Sequence, residues 1–265
     1  MDLRTSLLTI LLPIVLVVAS PASGMPPACL SCHPAHFADR GTCIGCHLGN
    51  DRTLRKDIAH LDLVPGRLLR YRIPGDPAVK RGTQWIDRAG CRRCHSIHGT
   101  GNRLAGDLDR SAGRNPNKLL ASILRPVTFM PDFRFGEENA AELVNALMAG
   151  ARRDPERKGE VPSVVRFGDR DERSGNVFVK RCGGCHRALT RRLGGLGKGD
   201  AGPNLSGLLS RFYPRASGDG KTWTVDRLRK WLDDPRRARA FARMPPQRMP
   251  RKEFSVLAKT LRDEE

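Results

Sequence analysis

Beyond its first two dozen residues the chain has no apolar stretch long enough to cross a membrane, so nothing after them calls for a bilayer. Aromatic residues are scarce, at 5% of 265. No nucleic-acid motif occurs either, and with so few rings to stack on bases the excess positive charge does not point to nucleic acid. Acidic residues are in short supply, 28 Asp and Glu against 47 Lys and Arg, for a formal net charge of +19. Histidine is rare at seven copies, and no cysteine stands alone. A chain of this length makes two or three small domains rather than one large catalytic domain with additions.

What is present is a single pattern used four times. All eight cysteines fall in Cys-x-x-Cys pairs, and each pair is followed at once by histidine: Cys29, Cys32, His33; Cys43, Cys46, His47; Cys91, Cys94, His95; Cys182, Cys185, His186. With seven histidines in 265 residues, the chance of one at a given position is about one in forty, so four in register are no coincidence. Two thiols three residues apart lie on one turn of backbone and can add to both vinyl groups of one porphyrin. The next residue then aims its imidazole at the iron. A zinc ribbon uses such pairs without needing the histidines. A disulfide framework explains an even cysteine count only, and a thioredoxin-like pair would occur once. Covalent haem accounts for every cysteine and every following histidine.

Residues 1–24 read as a secretory signal: Arg4, an apolar run over 7–19, then small residues from Ala19 to Gly24 as a cleavage region. Residues 25–78 carry two motifs in too little chain to build a protein core, so the porphyrins are expected to be the core of a loop-rich dihaem module. A repeat follows, with one copy over 79–151 and another over 174–265, joined by a charged linker at 152–173. From Met130-Pro131 and from Met244-Pro245, apolar residues recur at offsets +5, +13 and +17: Phe135, Leu143, Leu147 and Met249, Leu257, Leu261. The two leucines of each copy are four apart, on one helix face. Each copy has an aromatic residue ahead of its motif, Trp85 or Phe178. Each also has a turn-plus-leucine after it, Ala105-Gly106-Asp107-Leu108 or Gly202-Pro203-Asn204-Leu205. The second copy carries an insertion over 212–224.

Cys-x-x-Cys-His, a Gly-Pro-Asn-Leu-like turn, a helix, Met-Pro and a last helix resemble the class I cytochrome c domain, over about two-thirds of the chain. The N-terminal part looks like the small multihaem cytochromes whose haems have two histidine ligands. The resemblance implies a mainly α fold, a loop-rich dihaem module followed by two small all-α class I domains. It implies Met130 and Met244 as sixth iron ligands, with Met249 as rival to the latter. It also implies that the Pro203 carbonyl holds the His186 ring. Gly106 replaces that proline in the first copy and still offers a carbonyl.

His36, three residues after His33, starts on the proximal side of the first haem and cannot reach its far face, but it can reach a neighbour. This assigns His36 to the second haem and His60 to the first, with packing alone as the competing role for each. His98 is a surplus candidate, either a turn residue or a ligand to the N-terminal module.

The expected protein is therefore an electron carrier with four covalent haem c groups, periplasmic or secreted, in anaerobic or metal and metalloid respiration. It resembles cytochromes found with bacterial extracellular electron conduits or with selenite and tellurite reduction. Expected partners are electron donor and acceptor proteins, acidic cytochromes or a membrane-bound conduit among them, because the basic charge would steer acidic surfaces. The competing class is a haem enzyme subunit, peroxidase-like or part of an oxyanion reductase. That would need an open iron position, whereas this chain offers at least as many ligands as irons.

Overall fold

The computed structural model describes residues 27–151, 170–215 and 220–262. The expected signal, most of the charged linker and part of the 212–224 insertion lie outside them. The described residues are mainly α as expected, with 46% helix and 4% strand. Among the described residues no helix is long and apolar enough to cross a membrane.

Residues 27–63 form single 3-10 turns at Ala28–Ser31 and Ala38–Arg40 and two short helices, α1 (Cys43–His47) and α2 (Lys56–Ala59). Thr42 starts α1 by accepting the Gly45 amide on its hydroxyl at 3.1 Å. Not one side chain from 27 to 63 is buried. Leu30, Phe37, Leu48, Leu54 and Leu61 are all exposed.

The first copy centres on α3 (Pro77–Ala89), α4 (Pro116–Leu124) and α5 (Glu137–Gly150). Asp76 caps α3 by accepting the Ala78 amide at 2.9 Å, Pro77 sits where no amide is needed, and Gly90 ends the helix at φ 65°. Asn115 and Pro116 open α4 in the same way. Helix α3 lies directly on α5, because a Cβ on Gly82 would collide with the Glu142 carbonyl. The buried Glu142 carboxylate is paired with Arg81 and accepts the Trp85 indole N–H at 3.1 Å. Ile86, Leu119, Leu120, Ile123, Leu143, Val144 and Leu147 make the core. Val64, Leu68 and Leu69, from the stretch grouped by sequence with the dihaem module, pack into this same core. Asn145, fully buried, fastens them by accepting the Tyr71 amide at 2.9 Å and donating to the Arg67 carbonyl at 2.7 Å.

The second copy runs α6 (Arg170–Gly175), α7 (Val177–Arg181), β1 (Ala188–Thr190), β2 (Gly194–Leu196), α8 (Val225–Asp233), α9 (Pro235–Ala238) and α10 (Arg251–Leu261). Phe178, Leu193, Leu196, Leu228, Leu232, Met249, Leu257 and Leu261 form its core. The antiparallel pair β1 and β2 departs from the all-α expectation for this copy. Its tight turn is tied by Thr190, whose hydroxyl donates to the Gly194 carbonyl and accepts the Leu193 amide.

Asp76 also accepts from Arg70 Nε at 2.6 Å. Burial disfavours its charge, yet the Ala78 amide and Arg70 hold its pKa below the ordinary 3.8. Asp76→Ala should therefore cost about 1–2 kcal/mol at neutral pH, as a lost helix cap does. A depressed folded pKa gives stability that is complete above the unfolded value of 3.8 and lost as pH falls through the folded one. Denaturant unfolding should show the two proteins well separated at neutral pH and converging in acid.

Candidate cofactor-binding centres

None of the eight cysteines is joined to another in a disulfide. Cys94 and Cys182 are buried, Cys32 and Cys185 exposed, and Cys29, Cys43, Cys46 and Cys91 lie between. Burial pushes the Cys91 and Cys182 thiols up to about 11, against the pull of nearby arginines. Cys29 is raised by burial and by the neighbouring Cys43 thiol, so the first two motifs are side by side. Among the described residues no three His, Cys, Asp or Glu side chains gather as a metal cage.

The histidines gather in twos instead. The His33 and His60 rings lie with centroids 6.0 Å apart and planes tilted by 38°, and those of His36 and His47 with centroids 5.6 Å apart and planes at 90°. All but His47 are exposed. His33 stands just past the 3-10 turn carrying Cys29, and His60 just past α2. His47 ends α1, while His36 comes from the loop between the first two motifs. Each pair thus joins a motif histidine to one from another segment.

Three motif rings are held from behind. Nδ1 of His47 lies 2.9 Å from the Val64 carbonyl, that of His95 2.7 Å from Gly106, and that of His186 2.8 Å from Pro203. A carbonyl only accepts, so Nδ1 carries a proton, and in the neutral ring this tautomer leaves the lone pair on Nε2. Burial pushes the His95 pKa down despite the Gly106 bond, so the ring is neutral at physiological pH. His33 has no such bond among the described residues.

The two copies repeat this arrangement atom for atom. The Cys94 carbonyl accepts from Ala105 and the Cys185 carbonyl from Gly202; Ser96 accepts from Leu108 and Arg187 from Leu205. In each copy the chain turns back behind the histidine, at the bridge between Ile97 and Thr100 or the β1–β2 hairpin. It then passes the histidine carbonyl at Gly101 or Gly197, both at positive φ, where a Cβ would collide with that oxygen.

The methionines differ from each other. Met249 is buried in the second core, as Phe135 packs on the first. Met244 is half-buried at the edge of that core, and its sulfur accepts the Trp231 indole N–H at 3.1 Å. Met130 is half-buried in the loop before α5, its amide on the Val127 carbonyl. Among the described residues no hydrogen bond or ring contact joins Met130 or Met244 to a motif histidine. His98 is a turn residue at φ 55°, its amide on Asp109 and its ring against Gly150 at the end of α5. The Val64 carbonyl and the two passing glycines were not singled out by sequence; a backbone acceptor leaves no mark in residue identity.

No family model, no curated protein and no solved structure matches the chain.

Gly101→Ala and Gly197→Ala should each lower the unfolding free energy by about 2–4 kcal/mol, combining positive-φ strain with overpacking. Gly106→Ala meets nothing within 4 Å and should stay within about 0.5 kcal/mol. Denaturant midpoints of the three variants check this contrast.

Proposed function

We propose that the chain is an exported tetrahaem c-type cytochrome that carries electrons between protein partners. The observation that carries this reading is the pairing of His33 with His60 and of His36 with His47 beside complete Cys-x-x-Cys-His motifs. The rings of each pair stand 6.0 and 5.6 Å apart between centroids, close enough for both to reach one iron. The exposed Leu30, Phe37, Leu48, Leu54 and Leu61 of a segment with no core of its own suit an apolar macrocycle.

In this reading the cysteine pairs anchor four haems through thioether bonds. His33 with His60, His47 with His36, His95 with Met130 and His186 with Met244 hold the irons. Bound haem supplies one-electron chemistry at iron. The chain supplies ligand choice and orientation: the carbonyls of Val64, Gly106 and Pro203 keep three imidazoles in the tautomer that presents Nε2. Thioether sulfur favours the reduced metal more than imidazole does. Met130 and Met244 would then place their sites at higher potential than the N-terminal pair, which would make residues 27–63 the entrance for electrons. The excess of Lys and Arg steers an acidic redox partner or a membrane-bound conduit bearing acidic groups.

Intact-mass analysis of the exported full chain tests this directly. The expected mass is the mature chain plus four covalent haems, with no thiol left to alkylate after denaturation. Three or fewer haems, with alkylatable cysteines in matching number, contradicts it.

A further inference from the structure

The two copies are not beads on a linker; the described contacts lock them together at the places where each presents its ligands. Asn204 is the node. Its side-chain amide donates to the Phe129 carbonyl at 3.0 Å, one residue before Met130. Its own carbonyl accepts from Arg93 at 3.2 Å and from the Tyr213 hydroxyl at 3.0 Å. Arg93 stands between Cys91 and Cys94, is 7% exposed, and lies over the Tyr213 ring at 5.4 Å. The residue before Asn204 is Pro203, whose carbonyl holds the His186 ring. On the other side of His186, Arg187 donates to the Thr128 carbonyl at 3.1 Å. A continuous path of peptide and two hydrogen bonds therefore runs from Met130 through Phe129, Asn204 and Pro203 to His186.

We propose that Asn204 is a positioning residue coupling the two class I sites into one redox unit. This rests on the haem reading above. By fixing the Met130 segment of one copy against the turn that supports the proximal histidine of the other, it makes each site respond to the ligation of its neighbour. A buried arginine contributes because it is fixed at both ends, by the motif backbone and by the Asn204 carbonyl, and cannot move without disturbing both sites. Electron exchange between the copies moves one electron, one site being oxidised as the other is reduced, with no atom transferred.

The variant that isolates the contact is Asn204→Asp. Oδ1 of Asn204 accepts the Ser206 amide and hydroxyl at 3.0 and 2.6 Å, which a carboxylate still does. The donor to Phe129 is lost, and a carboxylate oxygen comes to face that carbonyl in its place. The experiment places Met130→His in two backgrounds of the full chain, with Asn204 intact and with Asn204→Asp, and titrates the Met244 site in each. With Asn204 intact, changing the Met130 ligand should shift the reduction equilibrium of the Met244 site threefold or more, about 28 mV at 59 mV per decade. With Asn204→Asp that cross-shift should vanish. Equal cross-shifts in both backgrounds, or none in either, overturn the coupling. Intact mass is read on every sample first: four haems with no cross-shift condemns the coupling alone, whereas missing haems condemn the reading beneath it. Arg187→Ala, which removes the Thr128 contact and one to the Lys198 carbonyl but none to Asn204, should halve the cross-shift or more; an unchanged shift contradicts the proposal even if Asn204→Asp fails to fold.

Discussion

An imidazole presents one nitrogen to a ligand in a fixed direction only when its other nitrogen is held. The backbone here bends to meet that need at three of the four motifs. For His95 and His186 the chain leaves the motif, doubles back in a short hairpin, passes the histidine carbonyl at a glycine, and brings a carbonyl under Nδ1. Hairpin length differs between the copies while the hydrogen bonds behind the ring are the same. For His47 the same service comes from Val64, whose side chain is rooted in the core of the next domain. Orientation of the N-terminal centre is thereby tied to the packing of α3 and α5.

That tie matters because residues 27–63 have little else. A segment of that length with no buried side chain cannot offset its own ordering entropy by apolar burial. Its order rests on single turns, one of them capped by Thr42, on the neighbouring Cys29 and Cys43 thiols, and on two histidine pairs. The two copies are built the opposite way, each around packed helices with buried leucines, and docked through Asn204 and Arg93. In the account proposed here, a compliant low-potential entrance is joined to a rigid high-potential pair.

Much of this was legible in the sequence, for reasons specific to particular residues. The leucines at 143, 147, 257 and 261 announced buried faces because helix periodicity places them there, and all four are buried. The expectation that His36 serves the second motif rested on its being only three residues past His33, and its ring lies 5.6 Å from that of His47. What stayed hidden is carried by backbone or by distance in sequence. The Val64 carbonyl has no side-chain signature. Val64, Leu68 and Leu69 are too short an apolar pattern to reveal which core they join. The partner of the Asn204 side chain lies 75 residues away in the other copy.

The most direct test of the central claim is a redox titration of the exported full chain followed in the near infrared, where methionine-ligated and bis-histidine ferric haems have separate charge-transfer bands. The account predicts two haems of each kind, with the bis-histidine pair titrating at the lower potential. Four haems of one ligand type, or a methionine-ligated pair at the lower potential, would contradict it.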